Sequence, residues 1–272
     1  DNFSIKYFLI TFVVVSMNFC QMRTILYMMA MCLMLCSCSG SEVKHYKLEV
    51  IAEYPHDVTS YTQGLFFNGG QLYESTGLNG KSTFRVVDLQ TGEARKRFDF
   101  DKKYFVEGSV MFDGNLYIMT WENRVMFIYD AETLEYKSTH RYARQGWGIT
   151  TDGKQLIVSD GTANLYFMDG NLKLDRKVVV RLQDRPVRWL NELEYIDGRI
   201  WANVYTSDEI VIINPRTGKV EGVIDCTGLL PRNLRTDSTD VLNGIAFNPQ
   251  DGKIYLTGKN WPRLYEVRLA EL

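Results

Sequence analysis

The residues best suited to chemistry fall into two sets, and each set occupies equivalent places in a repeated sequence pattern. The first set comprises Gln63, Glu107, Trp147, Asn191 and Asn243. The second set comprises Thr76, Trp121, Asp160, Tyr205 and Lys259. Carboxylates, an ammonium group, amides and large aromatic rings would come together if the two sets met. Such a mixture indicates a pocket that holds a small polar ligand between aromatic walls.

A glycine-containing turn followed by an aromatic-rich strand recurs five times along the chain. The turn glycines are Gly70, Gly114, Gly153, Gly198 and Gly252, at spacings of 44, 39, 45 and 54 residues. Asn-Gly and Asp-Gly turns favour tight hairpins, and a second turn follows in each complete repeat. Four short strands at a period of about 40–45 residues are typical of propeller blades. The sequence therefore predicts an all-β fold, a five-bladed β-propeller with four-stranded blades.

The repeat also predicts where the two sets of residues lie. In a propeller the first strand of each blade lines the central channel, and the second strand runs antiparallel to it. The first set begins the first strands and the second set ends the second strands, so both sets should meet at one mouth. A structural role stays open for Trp147 and Asp160 in packing and turns. It also stays open for Asn191 and Asn243 as partners of backbone groups at the rim.

Residues 45–272 are predicted to form a single propeller domain, since no linker, low-complexity run or long helix interrupts them. The fifth repeat is one strand short where the chain ends at Leu272. The segment from Tyr46 to Glu53 has the pattern of the missing strand. We therefore expect this N-terminal strand to close the last blade, which removes an open sheet edge. Residues 39–44 would be a short tether.

Residues 1–38 have the features of an export signal rather than of the folded domain. Residues 1–21 are interpreted as sequence upstream of a true start at Met22, which is followed by Arg23 and an apolar stretch over 25–35. The segment Leu35-Cys36-Ser37-Cys38 resembles a bacterial lipobox, in which Cys38 would be acylated. The alternative is an uncleaved membrane helix. Either interpretation predicts an exported, membrane-anchored protein, at the periplasmic face or the cell surface.

Composition excludes several classes of function. The 31 basic and 33 acidic residues leave a net charge of −2, without the basic excess of a nucleic-acid-binding protein. Three histidines, none at ligand spacing, make a histidine-built zinc site improbable. Cys226 is the one cysteine after residue 38, so no disulfide is expected within the domain. A nucleophile elbow, a P-loop and a dinucleotide fingerprint are all missing from the sequence.

From about Tyr54 to Leu269 the sequence resembles the plant-type glutaminyl-peptide cyclotransferases, or glutamine cyclotransferases, a family that also has bacterial members. The motifs that carry the resemblance, in chain order, are Tyr61-Thr-Gln-Gly64, Glu74-Ser-Thr-Gly77, Glu107-Gly108, Gly146-Trp-Gly148, Ser159-Asp-Gly-Thr162, Leu190-Asn-Glu-Leu-Glu-Tyr195, Trp201-Ala-Asn203, Asp240-Val-Leu-Asn-Gly244 and Thr257-Gly-Lys259 with Trp261-Pro262. Nine motifs in order on a fivefold repeat are highly specific. The resemblance implies a five-bladed propeller that converts an N-terminal glutamine of peptides or proteins to pyroglutamate, with loss of ammonia.

The resemblance also implies a set of active-site residues, namely Gln63, Glu107, Trp121, Asn191 and Lys259. One departure is Tyr205, where the plant pattern has Trp. Glu107 is the candidate proton shuttle, and Lys259 or the side-chain amides would polarise the carbonyl under attack. Gln63 and Asn191 would hold the substrate backbone, while Trp121 and Tyr205 would exclude water. No cofactor is required for this chemistry, although a structural ion on the propeller axis stays open.

Two other functions remain open on the residues alone. A catalytically silent propeller would bind peptide N-termini without turnover. A metal-dependent, lactonase-like propeller would use Glu107, Asn191, Asn243 and Asp160 as ligands. The charge of Lys259 would compete with a metal ion there and disfavours the second function. Glu107 and Lys259 could also form a simple ion pair at the rim, which would contribute little.

Overall fold

Regular structure in the described part of this protein is almost entirely β-strand. The computed structural model describes residues 42–272, so the signal segment 1–38 with Cys38, and residues 39–41 of the tether, lie outside the described residues. The strands are β1 (Lys44–Pro55), β2 (Thr62–Asn68), β3 (Gln71–Thr76), β4 (Thr83–Val87), β5 (Ala94–Asp99), β6 (Val106–Phe112), β7 (Asn115–Thr120), β8 (Val125–Asp130), β9 (Tyr136–Arg141), β10 (Ile149–Thr151), β11 (Leu156–Ser159), β12 (Asn164–Met168), β13 (Leu174–Val179), β14 (Arg181–Leu182), β15 (Arg185–Pro186), β16 (Leu190–Ile196), β17 (Arg199–Val204), β18 (Glu209–Ile213), β19 (Val220–Asp225), β20 (Leu242–Asn248), β21 (Lys253–Gly258) and β22 (Arg263–Glu271). A 3₁₀ turn covers Arg232–Leu234.

The strands pair mostly with their neighbours in sequence. Three sheets each hold four strands in simple order, β2–β5, β6–β9 and β10–β13. A fourth sheet has eight strands in the order β16-β17-β18-β19-β1-β22-β21-β20, and β14 and β15 form a small hairpin. The eight-stranded sheet differs from the expected set of separate four-stranded sheets. It arises because β1 pairs with β19 on one side and with β22 on the other.

Strand β1 joins the beginning of the described chain to its end. It pairs antiparallel with β22, in a register that runs from Tyr46 opposite Glu271 to Pro55 opposite Arg263. The unfinished fifth repeat predicts this partnership. Its other edge pairs in parallel with β19, from Lys44 opposite Gly222 to Lys47 opposite Asp225. Neither edge of the N-terminal half of β1 is left open, which protects the sheet from pairing with another chain.

The first strands of the five repeats pack against one another in a closed ring. Strand β2 contacts β6 and β20, β6 contacts β10, β10 contacts β16, and β16 contacts β20. Apolar side chains fill the spaces between neighbouring sheets, as where Phe66 and Phe84 meet Leu116 and Ile118. Burying each such side chain contributes roughly 1.5–3 kcal/mol, so these layers hold the ring together. Residues Val43–Leu272 form one compact unit.

Glycine permits the close approach of the first strands near the centre. Gly108 donates its backbone N–H to the carbonyl of Trp147 at 2.8 Å. A Cβ atom at Gly108 would lie 2.8 Å from the amide nitrogen of Ile149 and 2.9 Å from the same carbonyl oxygen. Any side chain there would force the two strands apart. This glycine directly follows Glu107, so the packing of the ring also holds that carboxyl in place.

Two buried carboxyls of β16 tie the ring together across its centre. Glu192 accepts hydrogen bonds from the backbone N–H groups of Leu65 and Ile245, which belong to β2 and β20. Glu194 accepts a hydrogen bond from the N–H of Phe247 at 2.9 Å. Burial raises the pKa of Glu192, and the nearby charge of Glu194 raises it further. These side chains satisfy backbone donors that the ring would otherwise leave unpaired.

Candidate active site

One cavity of about 300 Å³ opens at the end of the ring where the first strands begin. Its lining residues are Tyr61, Gln63, Phe105, Glu107, Trp121, Trp147, Trp189, Asn191, Tyr205 and Lys259. Seven of these belong to the two sets that the repeat pattern singled out. The volume lies at the lower limit of ordinary ligand pockets, which suits one small residue better than a long peptide.

Irregular pairing in the first strands directs the first set of residues into the cavity. The register between β2 and β3 shifts between Thr62 and Gly64, at Gln63. The corresponding shift in β6 falls between Val106 and Ser109, and so includes Glu107. Strand β16 repeats the shift around Asn191. Bulges re-aim side chains and are common beside active sites, and here they occur at three candidate site residues that line the cavity.

Residues of the second set follow directly after the second strands. Trp121, Tyr205 and Lys259 come immediately after β7, β17 and β21. Each backbone N–H donates a hydrogen bond back across the mouth to a carbonyl that precedes the first strand. The acceptors are the carbonyls of Phe105 at 3.0 Å, Trp189 at 2.8 Å and Val241 at 2.9 Å, respectively. The same bond in three repeats explains why strand-end residues converge at one mouth.

Glu107 is a buried carboxyl in an apolar setting. Its exposed fraction is 5%, and the rings of Trp121 and Trp147 share the cavity wall with it. Burial raises the pKa of Glu107 well above its ordinary value, and the positive charge of Lys259 only partly opposes the shift. Glu107 and Lys259 therefore interact electrostatically, but no direct salt bridge joins them among the described residues. The rim ion pair considered from sequence is therefore wrong, since both groups are buried.

Lys259 lies between two aromatic rings. Its Nζ atom is 4.7 Å from the ring centre of Tyr61 and 4.9 Å from that of Tyr205. Burial lowers the pKa of Lys259, and the charges of Glu107 and Asp240 partly restore it. Asp240 also accepts a hydrogen bond from the Tyr61 hydroxyl at 2.9 Å, which fixes that ring. The ammonium group is thereby held in one place with few competing partners.

Two polar atoms of the cavity wall are buried without a partner among the described residues. They are the Nε1 atom of Trp147 and the Oδ1 atom of Asn191. The first is a hydrogen-bond donor and the second is an acceptor. An unpaired buried polar atom costs about 1–3 kcal/mol. Both atoms are shielded from solvent, so neither is open to the cavity in this structure.

Three residues of the predicted sets do not line the cavity. The carboxylate of Asp160 accepts hydrogen bonds from the backbone and hydroxyl of Thr162, so it shapes a turn. Asn243 is fully buried and donates to the Thr62 carbonyl at 2.9 Å and to the Gln63 Oε1 atom at 3.3 Å. The hydroxyl group of Thr76 is hydrogen-bonded to that of Thr83. Their assignment to the pocket is wrong because each side chain is engaged within the protein, although Asn243 still orients Gln63.

Three residues that line the cavity were not identified as site residues from the sequence. All three occupy the same position of the repeat. Tyr61, Phe105 and Trp189 stand two residues before Gln63, Glu107 and Asn191. In an extended chain, residues two apart project to the same side. An aromatic residue at this position in three repeats is a sequence pattern that could have identified them. In the third repeat the same offset holds Gln145, which accepts a hydrogen bond from the Trp121 Nε1–H at 3.0 Å.

Metal-ligating side chains are dispersed in the described part of the molecule. Within residues 42–272 no group of three His, Cys, Asp or Glu side chains is placed to hold a metal ion. The Nε2 atom of His56 is hydrogen-bonded to the Oε1 atom of Glu74 at 3.0 Å. Cys226 is a buried free thiol. The same residues include no helix of sufficient length and hydropathy to span a bilayer. Catalysis without a cofactor, and an ion on the axis, both stay predictions.

Comparison with known proteins places the chain in a family. The family model described as glutamine cyclotransferase matches residues 23–269. The chain belongs to the glutamine cyclotransferase family. It is 43% identical over 232 residues to the glutaminyl-peptide cyclotransferase of Arabidopsis thaliana, covering 83% of this chain and 72% of the relative.

A solved structure agrees with the family assignment. The crystal structure of Myxococcus xanthus glutaminyl cyclase superposes with a TM-score of 0.79 at 36% identity. The match covers 85% of this chain and 100% of the other. The cyclotransferase family and the all-β fold predicted from sequence are therefore confirmed.

Proposed function

We propose that this member of the glutamine cyclotransferase family converts the N-terminal glutamine of peptides or proteins to pyroglutamate and releases ammonia. The observation that carries the proposal is a buried carboxyl of raised pKa, Glu107, in the same aromatic cavity as Lys259. A carboxyl that moves protons and a fixed positive charge are the groups that this cyclisation needs. Enclosure by aromatic rings keeps competing water away from them.

The reaction forms one bond and breaks one bond within a single residue. The α-amino nitrogen attacks the carbonyl carbon of the side-chain amide, and the bond from that carbon to the amide nitrogen then breaks. One proton leaves the attacking nitrogen and one joins the departing nitrogen, which leaves as ammonia. Because both reacting groups belong to one residue, holding the side chain folded supplies part of the acceleration.

Glu107 is proposed as the group that moves the proton. A carboxylate whose pKa is raised by burial is a stronger base than an exposed one. It takes a proton from the attacking amine and, once protonated, returns it to the departing nitrogen. Unbound α-amines have a pKa near ~8, so a useful neutral fraction is present at neutral pH. No other carboxyl lines the cavity in the described residues.

The remaining wall residues are proposed to bind and orient the glutamine. Lys259 stabilises the negative charge that develops on the side-chain oxygen during attack. Trp147 and Asn191, which line the same cavity, contact the substrate's first residue. Gln63, oriented by Asn243, holds the peptide backbone. The rings of Trp121 and Tyr205 exclude water and limit the motion of the substrate side chain.

The sheets are interpreted as a five-bladed propeller with four-stranded blades. Strands β16–β19 would form the fourth blade, and β20–β22 with β1 the fifth. The parallel contact of β1 with β19 then joins two blades edge to edge and accounts for the eight-stranded sheet. The closed ring of first strands supports the count of five.

Export and a lipid anchor at Cys38 are proposed from the lipobox-like segment alone. The substrates would then be peptides or proteins that reach the outer side of a membrane. The test is fractionation of cells that express the full-length chain or its Cys38→Ser variant. We expect the variant to leave the membrane fraction, and continued retention would indicate an uncleaved helix instead.

The alternative functions are distinguished by turnover and by the wall residues. A silent peptide-binding propeller would use the same cavity, so only catalysis separates it from an enzyme. A metal-dependent lactonase finds less support, because the Asp160 carboxylate is engaged in its own turn and Lys259 occupies the cavity.

Mass spectrometry of a synthetic peptide that begins with glutamine tests the proposed function. After incubation with the full-length chain, we expect the peptide to lose the mass of one ammonia at its N-terminus. The same peptide beginning with asparagine is the control, because its shorter side chain cannot form the five-membered lactam. An unchanged glutamine peptide with folded protein would contradict the proposal.

A further inference from the structure

The rim of the cavity carries one exposed indole ring. Trp189 lines the cavity yet is 54% exposed, whereas the other four tryptophans are buried or half-buried. Exposed apolar surface of this size is unfavourable in water, by roughly 25 cal/mol per Å². A ring kept at the mouth of a pocket therefore indicates contact with something that enters the pocket. We infer that Trp189 is a binding subsite for the residue that directly follows the N-terminal glutamine, with preference for aromatic or large apolar side chains.

The backbone holds Trp189 in a strained and well-determined position. Its φ angle is +65°, in the left-handed region that bulky residues rarely adopt. Two hydrogen bonds clamp the peptide units on either side, from its own N–H to Gly161 at 2.9 Å and from the N–H of Tyr205 to its carbonyl at 2.8 Å. Strain of this kind persists only where the surroundings over-determine it, commonly at ligand sites. The backbone that carries the ring is thus fixed at the mouth of the cavity.

An unbroken aromatic wall runs from Trp189 to the reacting groups. Its ring centre lies 6.1 Å from that of Trp147, which in turn meets Tyr205 edge-on at 5.6 Å. Tyr205 contacts the ammonium group of Lys259. A Cβ atom on Gly161 would come within 2.6 Å of the Trp147 ring, so this glycine allows the wall to close. A peptide whose first residue lies at Lys259 therefore leaves the cavity along the wall that ends at Trp189.

The size of the cavity requires that the rest of the peptide lie at the rim. A volume of about 300 Å³, at the lower limit of ligand pockets, holds the terminal residue but not a long peptide. Successive residues of an extended peptide advance by about 3.3–3.6 Å, so the second side chain emerges at the mouth. Aromatic side chains pair favourably with an exposed indole. This subsite rests on the proposed function, since it takes the glutamine to be bound inside.

The test compares three substrates: glutaminamide, Gln-Gly-amide and Gln-Phe-amide. With the full-length wild type, we expect kcat/KM for Gln-Phe-amide to exceed that for Gln-Gly-amide by about fivefold. Trp189→Ala should bring this ratio close to one, and Trp189→Phe should keep most of it. Tyr136→Ala is the matched control, because Tyr136 is an aromatic residue of β9 with 59% exposure and does not line the cavity. An equal ratio in the wild type and Trp189→Ala would overturn the subsite.

A binding measurement separates failure of the subsite from failure of the proposed function. Calorimetry with the Glu107→Gln variant reports affinity for the two dipeptide amides without turnover. Tighter binding of Gln-Phe-amide, lost when Trp189→Ala is added, supports the subsite even if the wild type releases no ammonia. Equal affinities overturn it even if glutaminamide is a good substrate. Turnover of glutaminamide by the wild type tests the cyclisation alone.

Discussion

The Nζ atom of Lys259 lies 4.9 Å from the centre of the Tyr205 ring, at the position where the plant members of the family are expected to have tryptophan. The same Nζ atom lies 4.7 Å from the centre of the Tyr61 ring. An ammonium group beside aromatic faces is attracted to them and loses freedom to swing out of the cavity. Tyr205 is therefore placed to hold the charge that we propose acts on the substrate carbonyl.

Substitution of Tyr205 tests this relationship. Tyr205→Ala should lower kcat/KM by about tenfold, because a cation–π contact of about 0.5–2 kcal/mol and an apolar wall are lost. Tyr205→Phe and Tyr205→Trp keep an aromatic face and should remain within about threefold of the wild type. Steady-state kinetics with Gln-Gly-amide measures all three variants. A fully active Tyr205→Ala would show that the ring does not position Lys259.

Removal of the buried carboxyl tests the proton shuttle. Glu107→Gln should lower kcat by at least about 100-fold, since the amide cannot accept the proton of the attacking amine. The fold should survive, because the buried charge of Glu107 is not needed for packing, and thermal unfolding checks this. Glu132→Gln, in an exposed turn, is the matched control and should retain activity. Near-normal turnover in Glu107→Gln would assign the proton transfer to another group.

The pH profile tests the coupling between Glu107 and Lys259. Burial raises the pKa of Glu107 and the charge of Lys259 lowers it, so loss of that charge should raise the pKa further. In the proposed mechanism the base form of Glu107 is the active one. Activity on the acid side should therefore rise at higher pH in Lys259→Met than in the wild type. The quantity to compare is the pH at which kcat rises on the acid side, not the maximum value of kcat. An unmoved limb would mean that the two groups are not coupled.

A buried ion pair near the join of β1 and β22 predicts pH-dependent stability. Burial alone would lower the pKa of His56, but the charge of Glu74 and hydrogen bonds to Glu74 and the Trp261 carbonyl outweigh it, so the pKa is raised. Protonated His56 therefore stabilises the fold below the unfolded pKa of about 6.5, and this contribution is lost as pH rises through the folded pKa.

Urea unfolding of His56→Gln measures that contribution. The variant should be less stable than the wild type by about 3 kcal/mol near pH ~6 and by clearly less near pH ~9. His140→Gln is the control, since His140 is exposed on β9 and lacks a carboxylate partner in the described residues. A stability difference that grew with pH would contradict the charged state assigned to His56.

The repeat pattern predicted that Glu107 and Lys259 lie at one mouth because antiparallel pairing leaves little choice. Once β6 begins near Glu107 and β21 ends before Lys259, a ring of such hairpins must bring both residues to one mouth. The incomplete fifth repeat likewise predicted the partnership of β1 with β22. Both predictions follow from the order of the strands, which the positions of the turns in the sequence indicate.

Other features depend on tertiary contacts that the pattern does not express. Asn243 occupies the same repeat position as Glu107, yet its amide turns to the Thr62 carbonyl because a backbone acceptor lies within reach. The parallel contact of β1 with β19 arises from the meeting of two sheets and leaves no local signal. Trp189 lies outside any strand, and its inward face is set by a left-handed backbone that propensity would not select.

Ammonia release from a glutamine-initiated peptide, with and without a chelator, tests the central claim most directly. The full-length wild type is predicted to release ammonia and pyroglutamyl peptide in equal amounts, at a rate that the chelator does not change. Folded protein that releases no ammonia would contradict the enzyme assignment and favour a silent binder of peptide N-termini. Release that the chelator abolishes would contradict a mechanism built on Glu107 and Lys259 alone.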